Sequence, residues 1–330
     1  MVADYCHCDC LEMRRYFDIN CHTDCDITIM GSFSRKIIRA TITLVKQDST
    51  NAQASSSFKD DANSVVLQGF RTSCNIGFGN GAVMPSAKIK IWGVSANVMD
   101  RLTNVNWNTH GRQNNLVTIE AGTDPDNLDV VFSGNITFAY PDYSSAPDVC
   151  LVMDCAMGYF EKVQAIPPET HKGETLVAGL FEAWAKLLNK SFENNGVDKK
   201  VTDFYSAESL QDRMTRLAKD ADIQLYNDVD VVAIAPKGYP RKTQVPVITP
   251  ESGLIGYPVP TNTGITFRCL YDRYLRFGTQ ITIKDSLVKQ CNGDWRVCGL
   301  TINIESELPQ GQWFCDVNAT ELGNAAVIPK

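Results

Sequence analysis

Cysteine spacing near the N-terminus is the first pattern in this sequence that could do chemistry. The pattern C-H-x-D-C occurs twice, at Cys6–Cys10 and at Cys21–Cys25, in a chain of 330 residues with 12 cysteines. If each Cys-x-x-x-Cys pair lies on a helix, its two sulfurs share one face, because residues i and i+4 are neighbours there. Two antiparallel turns could then be joined by two disulfides, Cys6–Cys25 and Cys10–Cys21. Cys8 is left over and could form a bridge between subunits.

A structural zinc site is the alternative for the same four cysteines, Cys6, Cys10, Cys21 and Cys25, with or without His7 and His22. Such sites more often use pairs spaced by two to four residues around a turn glycine, and no glycine precedes Gly31. A third possibility is that these cysteines are neither paired nor bound. The twin spacing is similar to that of helical hairpins with two disulfides, so a disulfide of some kind is favoured.

Two further cysteines lie near the C-terminus, on either side of the reversal Leu308–Gly311. Turning the last two predicted strands about Leu308 sets Cys298 and Cys315 almost opposite each other, where side chains approach within about 5 Å. We therefore predict a disulfide between them. The remaining cysteines are predicted to be buried, unpaired thiols: Cys74, Cys150, Cys155, Cys269 and Cys291.

The carboxylates Glu305 and Glu307 could imitate the paired acids of a glycosidase. Residues i and i+2 on a strand share a face, commonly the solvated one, and a retaining pair must be held about 5 Å apart in a cleft. The chain carries no H-E-x-x-H, G-x-S-x-G or P-loop motif. His110 and His171 are interpreted as ordinary exposed loop residues. We predict that the chain is not an enzyme.

The elements that hold these residues are mostly strands. Short apolar runs recur through the first half, with one short helix at Asn97–Leu102, and this spacing is typical of a barrel or sandwich. The predicted strands are IIRATITLV, Val65–Leu67, Arg71–Ile76, Ala87–Trp92, Leu116–Ala121, Val130–Ala139 and Val149–Ala156.

Between Lys172 and Lys219 the apolar period changes to that of two amphipathic helices, the second with Ser206 as its predicted N-cap. A hairpin follows, and strands return after Thr249. The predicted strands after the helices are Gln224–Tyr226, Val231–Ala235, Ile265–Leu270, Gln280–Lys284, Trp295–Ile304 and Trp313–Ala319. We therefore divide the chain into a cysteine-rich extension (1–30), a first β domain (31–160), an α/β insert (161–245) and a second β domain (246–330).

Composition excludes several classes of protein. The net charge is −7, whereas a nucleic-acid reader normally presents a basic face. An acidic surface that faces DNA would let the DNA slide past, because it does not bind phosphate. Mild acidity also favours solubility, and we prefer this second interpretation of the net charge. No apolar run approaches the roughly 20 residues of a membrane span, and the first 20 residues lack the apolar core of a signal peptide. We expect the chain to fold in a cytoplasm.

The order and spacing of several weak blocks carry a family resemblance from about Gly31 to the C-terminus. The blocks are QGFRTSCNI, AKIKIWGVSANVMDRLT, VFSGNITFAYPDYSSAPDVCLVMDCA, NGV with LQDRMTRLAKDADI, ITPESGLIGYPVP and WRVCGLTINIESELPQGQWFCDVNA. Together they resemble the baseplate hub proteins of contractile-tailed bacteriophages. The resemblance implies an α+β, mainly β fold with two tail-tube-like β-barrel domains and a small α/β insert between them.

The resemblance also implies a function: a homotrimeric structural virion protein that joins the tail tube to the central spike and forms part of the DNA-ejection channel. Its implied partners are the tail tube, central spike, tape measure and baseplate wedge proteins, with DNA only in transit and no membrane or cofactor. It would be assembled in the bacterial host cytoplasm, and release of the virion would allow disulfides to form. The alternatives are a tail-associated peptidoglycan hydrolase and a tail-tip carbohydrate-binding module.

Overall fold

The computed structural model describes residues 35–44, 63–79, 84–103, 115–159 and 166–323. The N-terminal cysteines lie outside these ranges: Cys6, Cys8, Cys10, Cys21 and Cys25. The disulfides, the zinc alternative and the intersubunit bridge suggested for them therefore stay predictions.

The first β segment alternates buried and exposed side chains along most of its strands. In β1, Ile38, Ala40 and Ile42 are buried while their neighbours are partly exposed, as expected for a strand with one face on a core. The predicted helix is confirmed as α1. The elements are β1 (Ile37–Thr43), β2 (Ser64–Gln68), β3 (Thr72–Phe78), β4 (Ser86–Trp92), α1 (Ala96–Leu102), β5 (Leu116–Gly122), β6 (Asp129–Asp142) and β7 (Cys150–Ala156).

The α/β insert has its own core, in which Trp184 is fully buried with Phe181 and Phe204. The predicted hairpin is confirmed by the antiparallel pairing of its two strands. The elements are β8 (Glu169–Leu176), α2 (Val177–Leu187), β9 (Ser191–Asn194), β10 (Lys200–Ser206), α3 (Leu210–Asp220), β11 (Ile223–Asn227) and β12 (Val231–Pro236).

The predicted N-cap of the second helix was wrong. Ser206 is the last residue of β10, where it pairs with Glu169 of β8. The cap is Ser209, three residues later, and the helix begins at Leu210. The Ser209 hydroxyl accepts a hydrogen bond from the Asp212 backbone N–H at 3.3 Å. Pairing between β10 and β8 extends the strand to Ser206, so the cap must follow it.

The last β segment contains β13 (Val247–Ile248), β14 (Leu254–Thr261), β15 (Gly264–Leu270), β16 (Gln280–Ile283), a 3₁₀ turn (Lys289–Cys291), β17 (Gly293–Ser306) and β18 (Trp313–Glu321). The predicted reversal between the last two strands is confirmed, with the Gly311 N–H donating to the Leu308 carbonyl at 3.1 Å. β17 and β18 pair antiparallel from Ile304–Trp313 onward.

One 13-stranded, mostly antiparallel sheet contains strands from both β segments, in the order β14-β15-β18-β17-β3-β4-β7-β6-β5-β1-β2. Off this path, β16 pairs with β17, and β13 pairs with β16. The two segments meet at β17 and β3, where Asn303 lies opposite Asn75. One hydrophobic core includes buried residues of both β segments, from Ile38 to Ala319, beside the separate core of the insert. The mainly β fold is confirmed, while closure into two separate barrels stays a prediction.

Helices of the described part of the chain are short. None of them is both long and apolar enough to cross a bilayer.

Candidate assembly surfaces

A ladder of polar side chains crosses four neighbouring strands on the exposed face of the sheet. Arg268 of β15 and Asp316 of β18 are directly opposite, with Nε–Oδ1 and Nη2–Oδ2 distances of 2.7 and 3.1 Å. Asn303 of β17 donates to Asp316 Oδ2 at 3.0 Å, and Asn75 of β3 donates to Asn303 Oδ1 at 2.6 Å. The ladder crosses from the last β segment to the first.

Charges of both signs follow the ladder on the same face. Lys88 of β4 lies opposite Asn75 of β3 and opposite Asp154 of β7. Residues directly opposite across antiparallel strands share a face and interact. Along this row of described residues, basic and acidic groups alternate, so the row offers no continuous basic track to a phosphate backbone.

The two ends of the main strand path differ in their ability to pair with another strand. β14 contains Pro258 and Pro260, which lack the N–H that a new neighbour would need. β2 contains no proline, and its Val66 side chain is exposed. Sheet edges are sites of pairing between chains, so β2 is the edge better suited to accept a strand.

The predicted Cys298–Cys315 disulfide was wrong. The β17–β18 register places Ile302, not Cys298, opposite Cys315. Cys298 falls in a bulge between Val297 and Gly299, where its thiol donates to the Asn318 carbonyl at 3.2 Å. Both cysteines are free thiols.

Cys315 has a different cysteine neighbour, which the sequence interpretation missed. Cys269 of β15 is directly opposite it, and both thiols are buried and free. Burial raises the pKa of the Cys269 thiol to about 12 and also raises that of Cys315. The five cysteines predicted to be buried free thiols are confirmed as such: Cys74, Cys150, Cys155, Cys269 and Cys291.

Glu305 and Glu307 are directed to different neighbours rather than to one cleft. Glu305, on β17, accepts hydrogen bonds from Ser73 Oγ at 3.1 Å and from the Gln312 N–H at 2.9 Å. Glu307 follows the strand with a left-handed φ of 55° and binds Arg35 at 2.6 Å. This pair does not have the arrangement of a glycosidase site.

His171 is part of a polar network on β8 rather than an ordinary exposed loop residue, so that interpretation was wrong. Its Nε2 lies 2.6 Å from Glu169 Oε1. The other oxygen, Oε2, accepts from Trp184 Nε1 at 2.9 Å and from the buried Arg213 at 2.6 Å. Burial raises the pKa of Glu169, but these hydrogen bonds outweigh it and leave the pKa below its usual value. The network fixes β8 to both helices of the insert.

The other three histidines, His7, His22 and His110, lie outside the described ranges. Within those ranges, no group of three or more His, Cys, Asp or Glu side chains is arranged to hold a metal ion.

A buried arginine fastens the insert to the last β segment, and no sequence pattern pointed to it. The Arg241 side chain is 5% exposed and binds Asp228, 3% exposed, at 2.7 Å. It also binds Glu193 of β9 through both Nε and Nη2, at 3.0 and 3.1 Å. Its backbone N–H donates to the Gly278 carbonyl at 2.8 Å, in the loop before β16.

Solved structures of tail proteins share this fold. A tail protein from Neisseria meningitidis MC58 has a TM-score of 0.56 and 8% identity, covering 86% of this chain and 96% of its own. The 43 kDa tail protein of prophage MuSo2 from Shewanella oneidensis has a TM-score of 0.54 and 8% identity, covering 87% and 97%. These likenesses define the class of protein: the chain has a phage tail protein fold.

A type VI secretion component, the E. coli c3393 protein, also shares the fold. The TM-score is 0.52 at 10% identity, and the match covers 79% of this chain and 77% of that one. The c3393 protein is described as structurally similar to the T4 tail proteins gp27 and gp5. The sequence matches no curated protein. The family model described as "Baseplate hub gp41" matches residues 37–313. The chain therefore belongs to the baseplate hub gp41 family, and the resemblance seen in the sequence is confirmed.

Membership in this family makes the chain a component of a virion tail. The families and folds that it matches are those of structural tail and baseplate proteins, which favours a structural rather than an enzymatic role.

Proposed function

We propose that three copies of this chain form a closed ring, the baseplate hub that joins the tail tube to the central spike of a contractile tail. The family match over residues 37–313 is the observation that carries this proposal. A ring needs complementary surfaces repeated in each subunit. The outer edge of β2, which pairs with no strand among the described residues, is one surface that a neighbouring copy could use.

In this proposal the segments 31–160 and 246–330 act as two tube-like barrels, and the insert 161–245 lies between them in sequence. Three subunits then present six barrels to a six-fold tail tube. The pairing of β17 with β3 supports this arrangement, because backbone hydrogen bonds hold the two segments in a fixed relation.

The exposed face with the Arg268–Asp316–Asn303–Asn75 ladder is the surface that we assign to the DNA-ejection channel. Protein affinity for DNA depends mainly on basic groups that neutralise phosphates. On this face Arg268 is held by Asp316, and Lys88 lies opposite Asp154. A balanced lining of this kind would let DNA pass without retaining it.

The proposed partners are the tail tube and central spike proteins, with tape measure and baseplate wedge proteins beside them. Assembly would take place in the bacterial host cytoplasm, without a membrane, a cofactor or an enzymatic step. The N-terminal cysteines Cys6, Cys10, Cys21 and Cys25 would form disulfides after release, with zinc as the alternative, and Cys8 would be available to a neighbouring subunit.

Native mass spectrometry of the purified chain, with and without reductant, tests the proposal. We expect a mass of three chains, and loss of the trimer on reduction would place disulfides between subunits. A chain that stays monomeric at micromolar concentration, alone and with the spike protein, would contradict the hub function. Degradation of peptidoglycan by the same sample would favour a lytic enzyme instead.

A further inference from the structure

A row of directly opposite residues crosses the main sheet from β6 to β15. All its side chains are exposed or partly exposed. Because opposite residues share a face, the row lies on the face that carries the Arg268–Asp316–Asn303–Asn75 ladder. In order, the row is Phe138, Asp154, Lys88, Asn75, Asn303, Phe314 and Leu270.

The centre of this row is polar, whereas both of its ends are apolar. Asp154, Lys88 and Asn75 occupy the centre, and the terminal side chains of Phe138 and Leu270 are each 50% exposed. Contiguous apolar surface that is exposed in a soluble protein marks a site of contact with another molecule. The face therefore consists of a polar centre between two apolar flanks.

The first flank, at Phe138, is aromatic. Phe138 and Tyr140 are two residues apart on β6, so they share a face, and their ring centroids are 5.2 Å apart. β5 pairs with β6 only between Asp129 and Asn135, so in the described part of the chain β5 does not continue alongside Phe138. Aromatic side chains are enriched in the cores of protein–protein interfaces.

The second flank, at Leu270, is aliphatic and lies at the end of the main strand path. Ile255 of β14 is opposite Arg268, two residues before Leu270 on β15, so Ile255 and Leu270 are diagonal neighbours on one face. Val259 lies opposite Thr266 on the same face. Ile255 and Val259 are 40% and 57% exposed.

A further strand would find few hydrogen-bond donors beside this second flank. Pro258 and Pro260 of β14 have no N–H group. The Leu254 N–H already donates to the Thr249 carbonyl at 2.9 Å. A partner must therefore cover the flank by packing side chains on its face rather than by extending the sheet.

A second copy of this chain is the partner that fits both flanks. In a head-to-tail ring, one end of each subunit's surface meets the opposite end of the next subunit's surface. Three walls around an axis meet at inward angles, so the flanks of their inner faces converge while the centres stay apart. In a ring whose axis runs along the strands, a protein stacked above or below the ring would contact the strand ends instead of these flanks.

We propose that the Phe138 flank of one copy packs against the Leu270 flank of the next copy. The inference rests on the proposed ring and on the assignment of this face to its channel. A stable contact buries about 800 Å² on each partner, so the flanks would form the apolar core of a larger interface. DNA in the channel would then meet only the polar centre of the face.

Photocrosslinking of the full chain tests the inference. Leu270→p-benzoylphenylalanine places a photoreactive ketone at the second flank. In a mixture of ¹⁴N- and ¹⁵N-labelled chains, we expect a crosslink from position 270 to the peptide of the other isotope that contains Phe138 and Tyr140. A crosslink only to another region of the neighbour, or none between the copies of a trimeric sample, would overturn the inference and leave the ring intact.

A double-mutant cycle gives a second readout. We expect Phe138→Ala and Leu270→Ala each to raise the dissociation constant of the trimer by about tenfold, because each removes an apolar side chain from the core of the contact. The double variant should be weakened by clearly less than the product of the two effects, because the second substitution removes a contact that is already lost. Effects that multiply would contradict direct packing of the two flanks.

Leu187→Ala is the matched control for the cycle. Leu187 is 69% exposed at the end of α2 in the insert, away from both flanks in the fold, so its loss should change the dissociation constant by less than about twofold. Equal effects of Leu187→Ala and Leu270→Ala would contradict the inference. A wild-type chain that never trimerises would remove the proposed function as well.

Discussion

Cys269 and Cys315 lie directly opposite each other on β15 and β18, with both thiols buried and free. Opposite residues of an antiparallel pair have Cα atoms about 4.5–5.5 Å apart, within the range that a disulfide spans. We therefore predict that a thiol oxidant such as diamide, applied in mild denaturant, links Cys269 to Cys315. Peptide mapping without reductant measures the link.

Cys298→Ser and Cys269→Ser are the matched variants for this prediction. Cys298→Ser should leave the linked peptide unchanged, and Cys269→Ser should abolish it. A Cys298–Cys315 peptide in the wild-type chain would contradict the β17–β18 register.

Loss of the Arg241 side chain should destabilise the chain strongly. Arg241→Met leaves the buried Asp228 carboxylate without its closest cation, and breaking a buried ion pair in this way costs about 3–5 kcal/mol. The free energy of unfolding from urea titration measures the change. Arg268→Met, which breaks the exposed pair with Asp316, is the control and should cost about 0–1 kcal/mol. Similar losses in the two variants would rule out a special role for the buried pair.

The stability of the insert should depend on pH through Glu169. Its pKa is lowered in the folded chain, so the carboxylate contributes stability above its unfolded pKa, near 4.3, and loses it as pH falls through the folded value. Glu169→Gln should therefore have a lower Tm than the wild type at neutral pH. The difference should shrink as pH falls toward about 3. Thermal unfolding across this range measures it, and a constant difference would contradict the prediction.

The N-cap of α3 gives a local test of the helix start. Ser209→Ala removes the acceptor for the Asp212 N–H and should cost about 1 kcal/mol. Ser209→Asn keeps an acceptor and has an N–H that can replace the hydroxyl's 2.7 Å hydrogen bond to the Asp212 carboxylate, so it should cost much less. Urea titration compares the variants. An equal loss for both would show that the hydroxyl does not act as the cap.

The sequence predicted those elements in which buried and exposed side chains recur with a regular period along the chain. Alternation of Ile38, Ala40 and Ile42 identifies β1, and the apolar face of α2 identifies its helix. β8 was missed because its side chains are largely exposed on both faces, so it lacks apolar alternation. β14 was not predicted because it contains prolines, which argue against a strand.

Relations between distant segments had no local signal. The register of β17 against β18 depends on the conformation of the reversal near Leu308. A small error in that reversal led to Cys298 as the predicted partner of Cys315, whereas the strand register places Ile302 there. The Arg241 ion pairs join three separate parts of the chain. A single arginine in a polar stretch gives no indication of such burial. The family resemblance, in contrast, depended only on the order of blocks and could be recognised.

The pairing of β17 with β3 has a consequence for synthesis of the protein. Asn75 and Asn303, which face each other across these strands, are 228 residues apart in the chain. The ribosome must therefore add these 228 residues before β3 gains its second neighbour, and contacts this distant in sequence form slowly. Until then β3 is paired with β4 on one side only, and its other edge is unpaired on the nascent chain. Unpaired strand edges are prone to aggregate. Infected cells making many copies at once would be expected to rely on chaperones to shield the incomplete sheet.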